Sequence, residues 1–333
     1  MKKIIIICSL MIFFKGNLFA QKSGYRVTDS FHIASTNWWD YIAVNKNKLY
    51  VSHGTQVNIL DKKRGDSLGV IPNTEGVHGI AFVNAMNKGY TSNGRLNNVT
   101  VFDLTTNKIL KQIPTGANPD AIFYDDYSKK IITCNGRSNN LSIIDPTTDQ
   151  VVDSIPLSGK PETAVSDGAG KVFVNIENKS AISEIDIKNF KVINTWSIAP
   201  GESPSGLAID RKTNRLFAGC DNKILVVLNA ENGTVVSTPA IGNGCDGTAF
   251  DPQLNYIYSS NGEGTLTVIK EISKDKFEVV ENVTTKRGAR TLALDPVTHT
   301  VYLPTANFKP AENGERRPPM VPGSFQVLVV KKQ

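Results

Sequence analysis

The sequence predicts an all-β protein, a seven-bladed β-propeller with four-stranded antiparallel blades, because it repeats with a period near forty residues. Residues 91–108, TSNGRLNNVTVFDLTTNK, return 42 residues later as residues 133–150, TCNGRSNNLSIIDPTTDQ. Each copy contains an Asn-Gly hairpin signal, an alternating apolar strand and an Asp-x-Thr-Thr turn. A period of this length with several strands in each unit is typical of propellers.

The number of blades follows from the strands that end each unit in a polar turn residue. Five such strands occur at spacings of 42, 42, 41 and 43 residues. Their last residues are Asp61, Asp103, Asp145, Asp186 and Asn229. Two further units with altered endings fall at residues 265–270 and 325–330, which brings the count to seven.

The two ends of the chain predict how the ring closes. The seventh unit has no fourth strand after Val330, whereas residues about 24–34 have strand character and no unit of their own. An unpaired outer edge would invite aggregation. We therefore expect the N-terminal strand to complete the last blade, and residues 21–333 to form a single domain.

Residues 1–20 have the organisation of a secretory signal peptide. Lys2 and Lys3 precede an apolar run over residues 4–14 that is too short to span a membrane, and the segment ends at Ala20. An uncleaved anchor is the alternative. We expect cleavage, export to the periplasm or the cell surface, and a mature chain without a membrane span.

The charge of the mature chain is modest. The full chain carries a formal net charge of +6; Lys2, Lys3 and Lys15 contribute three of these charges, which leaves +3. The remaining basic residues are scattered, so charge alone does not indicate a nucleic-acid partner.

The order of strands in a unit divides the loops between two faces. The loops between blades and the Asn-Gly hairpins share one face, here called the hairpin face, and the Asp turns lie on the opposite turn face. Residues that open the first strands are expected around the mouth of the central channel on the hairpin face. They are Asp40, His78, Asp120, Glu162, Ser205, Asp246 and Arg290.

This predicted ring presents a different polar group from each blade, which is the variety that a ligand site needs. Solvated polar residues that bond only to water and backbone are the alternative. Hairpin residues are expected around the ring: His53, Asn93, Arg95, Asn135, Arg137, Asp221, Asn222 and Asn261.

A metal-assisted or lactonase-like hydrolase at the channel mouth is the competing functional class. Asp120, Glu162 and Asp246, with His78, are the candidate ligands for a hard divalent cation, which favours carboxylates. The four histidines are too few for a copper cluster, and no Gly-x-Ser-x-Gly motif occurs. We predict no cofactor, and we favour a binding protein over an enzyme.

The loop over residues 304–324 replaces the short hairpin turn of the last blade. It contains five prolines and the adjacent Arg316 and Arg317, so it is unsuited to a sheet. Long loops in compact domains are commonly functional. We expect a partial lid over the mouth, with Phe308 or Met320 packing down and the two arginines facing the ligand.

Cys220 and Cys245 fall on the hairpin face in neighbouring blades. A disulfide between them suits an oxidising compartment, and two small buried thiols are the alternative.

Nucleic acid is a less favoured partner. A basic surface with stacking groups would suit a single strand. The candidates on the hairpin face are Arg95, Arg137, Arg290, Arg316 and Arg317, with Trp38, Trp39 and Phe308 for stacking.

The units resemble the YVTN-type repeats of YncE-like β-propellers. That pattern places a proline before a strand of small residues, here Pro119, Pro161 and Pro204, and ends a later strand in Asp. The resemblance covers about residues 38–330 and implies an exported bacterial protein, some relatives of which bind DNA. The fold hosts many activities. We therefore expect a monomer that binds a small molecule, glycan or protein on its hairpin face.

Overall fold

The computed structural model describes residues 23–34, 37–310 and 318–333, which form a ring of seven four-stranded antiparallel sheets. The predicted all-β, seven-bladed propeller is confirmed. In the first six blades the strands run outward from the channel in chain order, whereas blade 7 takes its outermost strand from the N-terminus.

The first four blades comprise sixteen strands. Blade 1 contains β2 (Trp39–Asn45), β3 (Lys48–His53), β4 (Gln56–Asp61) and β5 (Ser67–Ile71); blade 2 contains β6 (Val77–Val83), β7 (Lys88–Asn93), β8 (Asn98–Asp103) and β9 (Ile109–Pro114). Blade 3 contains β10 (Pro119–Asp125), β11 (Lys130–Asn135), β12 (Asn140–Asp145) and β13 (Gln150–Pro156); blade 4 contains β14 (Pro161–Ser166), β15 (Lys171–Ile176), β16 (Ala181–Asp186) and β17 (Lys191–Ser197).

The remaining three blades complete the ring. Blade 5 contains β18 (Pro204–Asp210), β19 (Arg215–Cys220), β20 (Leu225–Asn229) and β21 (Val235–Ser237); blade 6 contains β22 (Cys245–Asp251), β23 (Tyr256–Asn261), β24 (Thr265–Ser273) and β25 (Lys276–Thr284). Blade 7 contains β26 (Ala293–Asp295), β27 (Thr300–Thr305), β28 (Gln326–Lys332) and β1 (Tyr25–His32). Two single 3-10 turns, Asn84–Met86 and Glu177–Lys179, lie in connections.

The ring closes through antiparallel pairing of β1 with β28, which runs from Tyr25 opposite Lys332 to His32 opposite Gln326. This pairing confirms the predicted closing strand. Tyr25 is only 3% exposed, and its hydroxyl donates to the backbone oxygen of His299 and accepts from the hydroxyl of Tyr258. The N-terminal strand is thus fixed to blades 6 and 7 by packing as well as by its backbone.

The hydrophobic core is divided between the blades. The described residues form seven buried clusters, and each cluster joins two neighbouring blades. On the channel side, every innermost strand contacts the innermost strands of its two neighbours. Because a blade buries its faces only against the next blades, the ring is the smallest unit with a complete core.

The repeated turn residues act as the sequence indicates. Oδ1 of Asp103 accepts hydrogen bonds from the backbone N–H groups of Thr105 and Thr106, and Oδ1 of Asp61 does the same for its own turn. In the hairpins, the buried side chain of Asn93 donates to Asn98 and Thr100. These amides therefore hold the turn.

The position with positive φ in these hairpins differs from the expected one. The residues in the left-handed region are Asn97 (φ 52°) and Asn139 (φ 51°), and not the glycines of the Asn-Gly pairs. The hairpin loops are longer than two residues, so the reversal of the chain falls at their last position. The glycines instead leave room for neighbouring side chains at the channel mouth.

Cys220 and Cys245, the candidates for a disulfide, are buried free thiols in this structure. Cys220 packs in the core between blades 4 and 5, whereas Cys245 packs between blades 5 and 6. Sγ of Cys245 also accepts a hydrogen bond from Ser259 at 3.0 Å. The structure therefore agrees with the alternative that Cys220 and Cys245 are two small buried thiols.

The predicted signal peptide, residues 1–20, lies outside the described residues. Among the residues that are described, no helix has the length and apolar character needed to cross a membrane.

The closing strand gives a test of stability. Replacing Tyr25 by Ala removes a buried ring and two hydroxyl contacts, so we expect the free energy of unfolding to fall by about 3 to 5 kcal/mol. Arg26→Ala, at the next and exposed position of β1, should change it by less than about 0.5 kcal/mol. Guanidinium unfolding measures both, and equal small effects would show that β1 does not hold the ring closed.

Candidate functional site

The seven predicted ring residues occupy equivalent positions around the channel mouth. Six are the second residues of the innermost strands β2, β6, β10, β14, β18 and β22, and Arg290 lies just before β26. Each of those six strands carries a β-bulge at this point. A bulge re-aims side chains at the end of a strand, and here it places the polar groups at the mouth.

His78 lies between carboxylates of the two neighbouring blades. Its Nδ1 is 2.5 Å from Oδ2 of Asp40 and 3.8 Å from Oδ1 of Asp120. Burial disfavours a charged imidazole, but the hydrogen bond to Asp40 and the charges of the carboxylates raise the pKa of His78 to about 9. His78 is therefore a cation at neutral pH and links blades 1, 2 and 3.

Arg290 links the other side of the ring. Its Nη1 is 2.8 Å from Oδ2 of Asp246, and its Nη2 is 3.4 Å from Oδ1 of Asp40. The hydroxyl of Ser205 donates to the second oxygen of Asp246 at 2.5 Å. Together with His78, these contacts join the ring residues of six blades, from Asp120 round to Ser205, into one network.

Glu162 is bound by a cation that sequence reasoning missed. Nζ of Lys160 is 2.7 Å from Oε1 of Glu162 and 2.5 Å from Oε2 of Glu177. Lys160 immediately precedes β14, and Glu177 lies in the hairpin that follows β15. Both therefore belong to the loops of the hairpin face, which was the available sequence signal for them.

Asp120 and Glu162 hold protons at unusually high pH. Burial is the main cause that raises the pKa of each carboxyl group. His78 opposes this effect at Asp120, whereas the negative charge of Asp120 raises the pKa of Glu162 further. The mouth thus contains carboxyl groups that take up or release protons near neutral pH.

The glycines of the Asn-Gly pairs allow side chains to approach the hairpins. A Cβ atom at Gly94 would lie 2.7 Å from Nε2 of His78 and 2.9 Å from Oδ1 of Asn118. Contacts that short would displace His78 from its position between the two carboxylates. The most prominent feature of the repeat therefore serves the candidate site as well as the turn.

Tyr41, which sequence reasoning missed, crosses the channel below the ring. It belongs to β2 of blade 1, yet its hydroxyl is 3.4 Å from Oγ1 of Thr163 in blade 4, and its ring packs on the core of blades 3 and 4. Beyond it lies an apolar chamber of about 180 Å³. Tyr41 thus forms a floor under the mouth.

An aromatic wall borders the mouth beside blades 7 and 1. Trp38 and Trp39 stack with ring centroids 6.0 Å apart, and Phe308 packs on both at 6.2 and 6.1 Å. These rings line a cavity of about 280 Å³ together with Arg290 and Pro318. Both described ends of the predicted lid loop therefore lie at the mouth; Arg316 and Arg317 are outside the described residues.

A second cavity of about 410 Å³ lies on the other side of the two tryptophans. Its lining includes Trp38, Trp39, His78, Arg95, Arg137 and Arg290. Arg95 and Arg137 are exposed hairpin residues of blades 2 and 3, and neither has an ion-pair or hydrogen-bond partner for its side chain among the described residues. We name this space the basic cavity.

A third cavity of about 260 Å³ has the opposite charge. Its lining includes Glu162, Glu177, Ser205, Asp221, Asp246 and Arg290. We name this space the acidic cavity. The structure therefore brings the predicted ring residues together at the channel mouth. The basic cavity lies on one side of the mouth and the acidic cavity on another.

His53 does not line these cavities, although the sequence places it among the ligand candidates. It is fully buried and stacks on Phe325 with ring centroids 4.0 Å apart. Burial lowers the pKa of His53 to about 4, while its hydrogen bond to the backbone of Asn37 opposes that shift. His53 supports the loop before Trp38, because its side chain points into the core between blades 7 and 1.

Two of the four cation ligands suggested by the sequence, His78 and Asp120, lie close together, and Asp40 is the third member of their group. In the described part of the chain, three potential ligand atoms lie within 4.8 Å of one another at Asp40, His78 and Asp120. Glu162 and Asp246 are outside this group, because Lys160 holds the first and Arg290 holds the second.

Comparison with known proteins supports the fold. No protein-family model matches the chain, and no curated protein matches it. Among solved structures, Kuenenia stuttgartiensis hydrazine synthase contains a chain that is similar with a TM-score of 0.72, over 82% of this chain and 94% of that chain. The two are 16% identical, so the likeness shows the β-propeller fold alone. The resemblance to YVTN repeats stays a prediction.

The buried ring makes stability depend on pH. Raised pKa values at Asp120 and Glu162 mean that the folded chain binds more protons than the unfolded chain above about pH 4.5, so stability falls as pH rises. His78 acts in the same direction: its contribution is complete below pH 6.5 and is lost as pH rises through about 9. The lowered pKa of His53 acts in the opposite direction only between about pH 4 and 6.5. We therefore expect the melting temperature to fall steadily from about pH 6.5 to pH 9.

Glu162→Gln should make this decline shallower, because it removes one of the groups that releases a proton. Thermal melts followed by circular dichroism across the pH range measure both slopes. A melting temperature that stays constant or rises over this range would contradict the protonation of the ring.

Proposed function

We propose that this β-propeller is a binding protein that takes a small anionic ligand with a flat apolar body in the basic cavity of its channel mouth. The observation that carries the proposal is the set of unpaired groups that line this one cavity. Arg95 and Arg137 line it, and neither side chain has a hydrogen-bond or ion-pair partner among the described residues.

Both guanidinium groups are hydrogen-bond donors and are always charged. Arg95 and Arg137 are exposed at the cavity, so an anionic group can reach both of them. The carboxylate of Asp40, which lines the same cavity, is already occupied by His78 and Arg290. A ligand that supplies acceptors and negative charge is therefore complementary to this cavity.

The aromatic wall indicates the shape of the ligand. Trp38 is 51% exposed, which leaves one large apolar surface uncovered beside the basic groups. A planar or ring-shaped body can stack on this surface while its anionic group reaches the arginines. Phe308 packs against the same tryptophans, so the lid loop would border the bound molecule.

The proposed location is the periplasm or the cell surface, which the signal-like segment at residues 1–20 supports. The resemblance to YncE-like propellers supports the same location and adds DNA as a partner class. Long nucleic acids fit the mouth less well than small anions do, because the acidic cavity adjoins the arginines and repels phosphates.

Hydrocinnamate, an aromatic carboxylate, tests the proposal, with hydrocinnamide as the uncharged control of the same shape. We expect hydrocinnamate to bind and to change the tryptophan fluorescence, because two of the three tryptophans of the chain line the cavity. The amide should bind about tenfold more weakly, since charge-assisted hydrogen bonds exceed neutral ones.

The double variant Arg95→Ala and Arg137→Ala should abolish the preference for the carboxylate without changing the melting temperature. Arg64→Ala is the matched control, because Arg64 is an exposed arginine on the opposite face. If the double variant still preferred hydrocinnamate over hydrocinnamide, the two arginines would be ordinary surface residues with no part in binding.

Metal-assisted hydrolysis is a second candidate function, because Asp40, His78 and Asp120 bring three ligand atoms within 4.8 Å. A divalent cation would have to replace the proton of His78. If this site binds metal, manganese or zinc raises the melting temperature, and the rise disappears in Asp120→Asn. Identical melting curves with and without these ions would remove the hydrolase from consideration.

A further inference from the structure

The acidic cavity is lined by more carboxyl groups than cations. Glu162, Glu177, Asp221 and Asp246 line it, and the cations that contact them are Lys160 and Arg290. Asp221 is exposed, and its side chain has no hydrogen-bond or ion-pair partner in the described part of the chain. This cavity therefore offers acceptors where the basic cavity offers donors.

The two cavities meet at Arg290, which lines both of them. The guanidinium is anchored by Asp246 on one side and by Asp40 on the other, so it forms a fixed charged divider between them. Arg95 and Arg137, whose guanidinium groups are unpaired among the described residues, line the basic side. A molecule that extends across Arg290 would therefore meet donors at one end and acceptors at the other.

We infer that the channel mouth binds a zwitterionic ligand of the size of a short peptide, with its carboxylate beside Arg95 and Arg137 and its cationic amine beside Asp221. The inference rests on the proposed function, because the anionic end occupies the basic cavity. Beyond the proposed function, it states that the whole ligand is a peptide and that the acidic cavity binds its amine.

The separation of the charged ends favours a peptide over a single amino acid. Arg95 and Arg137 belong to blades 2 and 3, whereas Asp221 belongs to the hairpin of blade 5. The amine and carboxylate of one amino acid share a carbon atom and cannot reach both sides. An extended tripeptide is about 10 Å long, and the two cavities of about 410 and 260 Å³ provide room for its side chains.

The partial neutralisation of the acidic cavity favours an ammonium group over a divalent metal ion. Lys160 and Arg290 already occupy Glu162, Glu177 and Asp246, and their positive charges would oppose a second dense cation. A single ammonium group can instead use the unpaired carboxylate of Asp221 and the hydroxyl of Ser203, which lines the same cavity.

Three forms of one tripeptide test the inference: free Ala-Phe-Ala, its N-acetylated form and its C-amidated form. These probes share one body and lose one charge each. In calorimetric titrations the free peptide should bind about tenfold more tightly than either modified form, since each end then forms charge-assisted hydrogen bonds.

Substitutions in the two cavities show where the amine and the carboxylate of the peptide bind. Asp221→Asn should weaken free Ala-Phe-Ala to about the affinity of the N-acetylated form and leave the N-acetylated form unchanged. The double variant Arg95→Ala and Arg137→Ala should weaken the free and N-acetylated peptides alike. Asp126→Asn, an exposed carboxylate on the turn face, is the control that should change neither affinity.

The outcomes separate this inference from the proposed function. Equal binding of the free and N-acetylated peptides, with a loss in the arginine variant, overturns the zwitterion and leaves the anionic site standing. Failure of hydrocinnamate and of both carboxylate peptides to bind overturns the proposed function and the inference together. A change of the N-acetylated peptide in Asp221→Asn would also contradict the assigned position of the amine.

Discussion

The contacts between Arg290 and Asp40 cross the seam at which the ring closes, and the rest of the mouth depends on that seam. Nη2 of Arg290 in blade 7 is 3.4 Å from Oδ1 of Asp40 in blade 1, and the hydroxyl of Thr291 donates to the backbone oxygen of Asp40 at 2.6 Å. Blade 7 is complete only when β1 pairs with β28. The charged network therefore crosses the junction between the first and last blades, so it is a property of the whole ring.

Much of the architecture could be read from the sequence because it is repeated. The period of the turn residues gives the number of blades, and the unpaired strand character at the N-terminus gives the closing strand. The positions of the ring residues follow from the strand meander, since equivalent places in successive units must lie at the same height around the channel. Asp120, Glu162 and Arg290 needed no further information to be placed at the mouth.

The partners of these residues could not be predicted, because each partner comes from a different blade or from a loop of irregular shape. Nothing in the repeat distinguishes Glu162, which Lys160 contacts, from Asp246, which Arg290 contacts. Histidine is a common ligand-binding residue, yet the ring of His53 stacks on Phe325 in the core. Tyr41 reaches across the channel to Thr163, a contact between units far apart in the chain. Such features depend on side-chain direction and not on the backbone period.

The floor that Tyr41 forms has a consequence for how any ligand exchanges. A propeller channel open at both ends would allow molecules to pass through the disc. Here the contact of Tyr41 with Thr163 and the apolar chamber beyond it disfavour the passage of a polar molecule through the disc. A polar ligand that enters from the hairpin face would therefore leave by the same route, past Trp38 and Phe308.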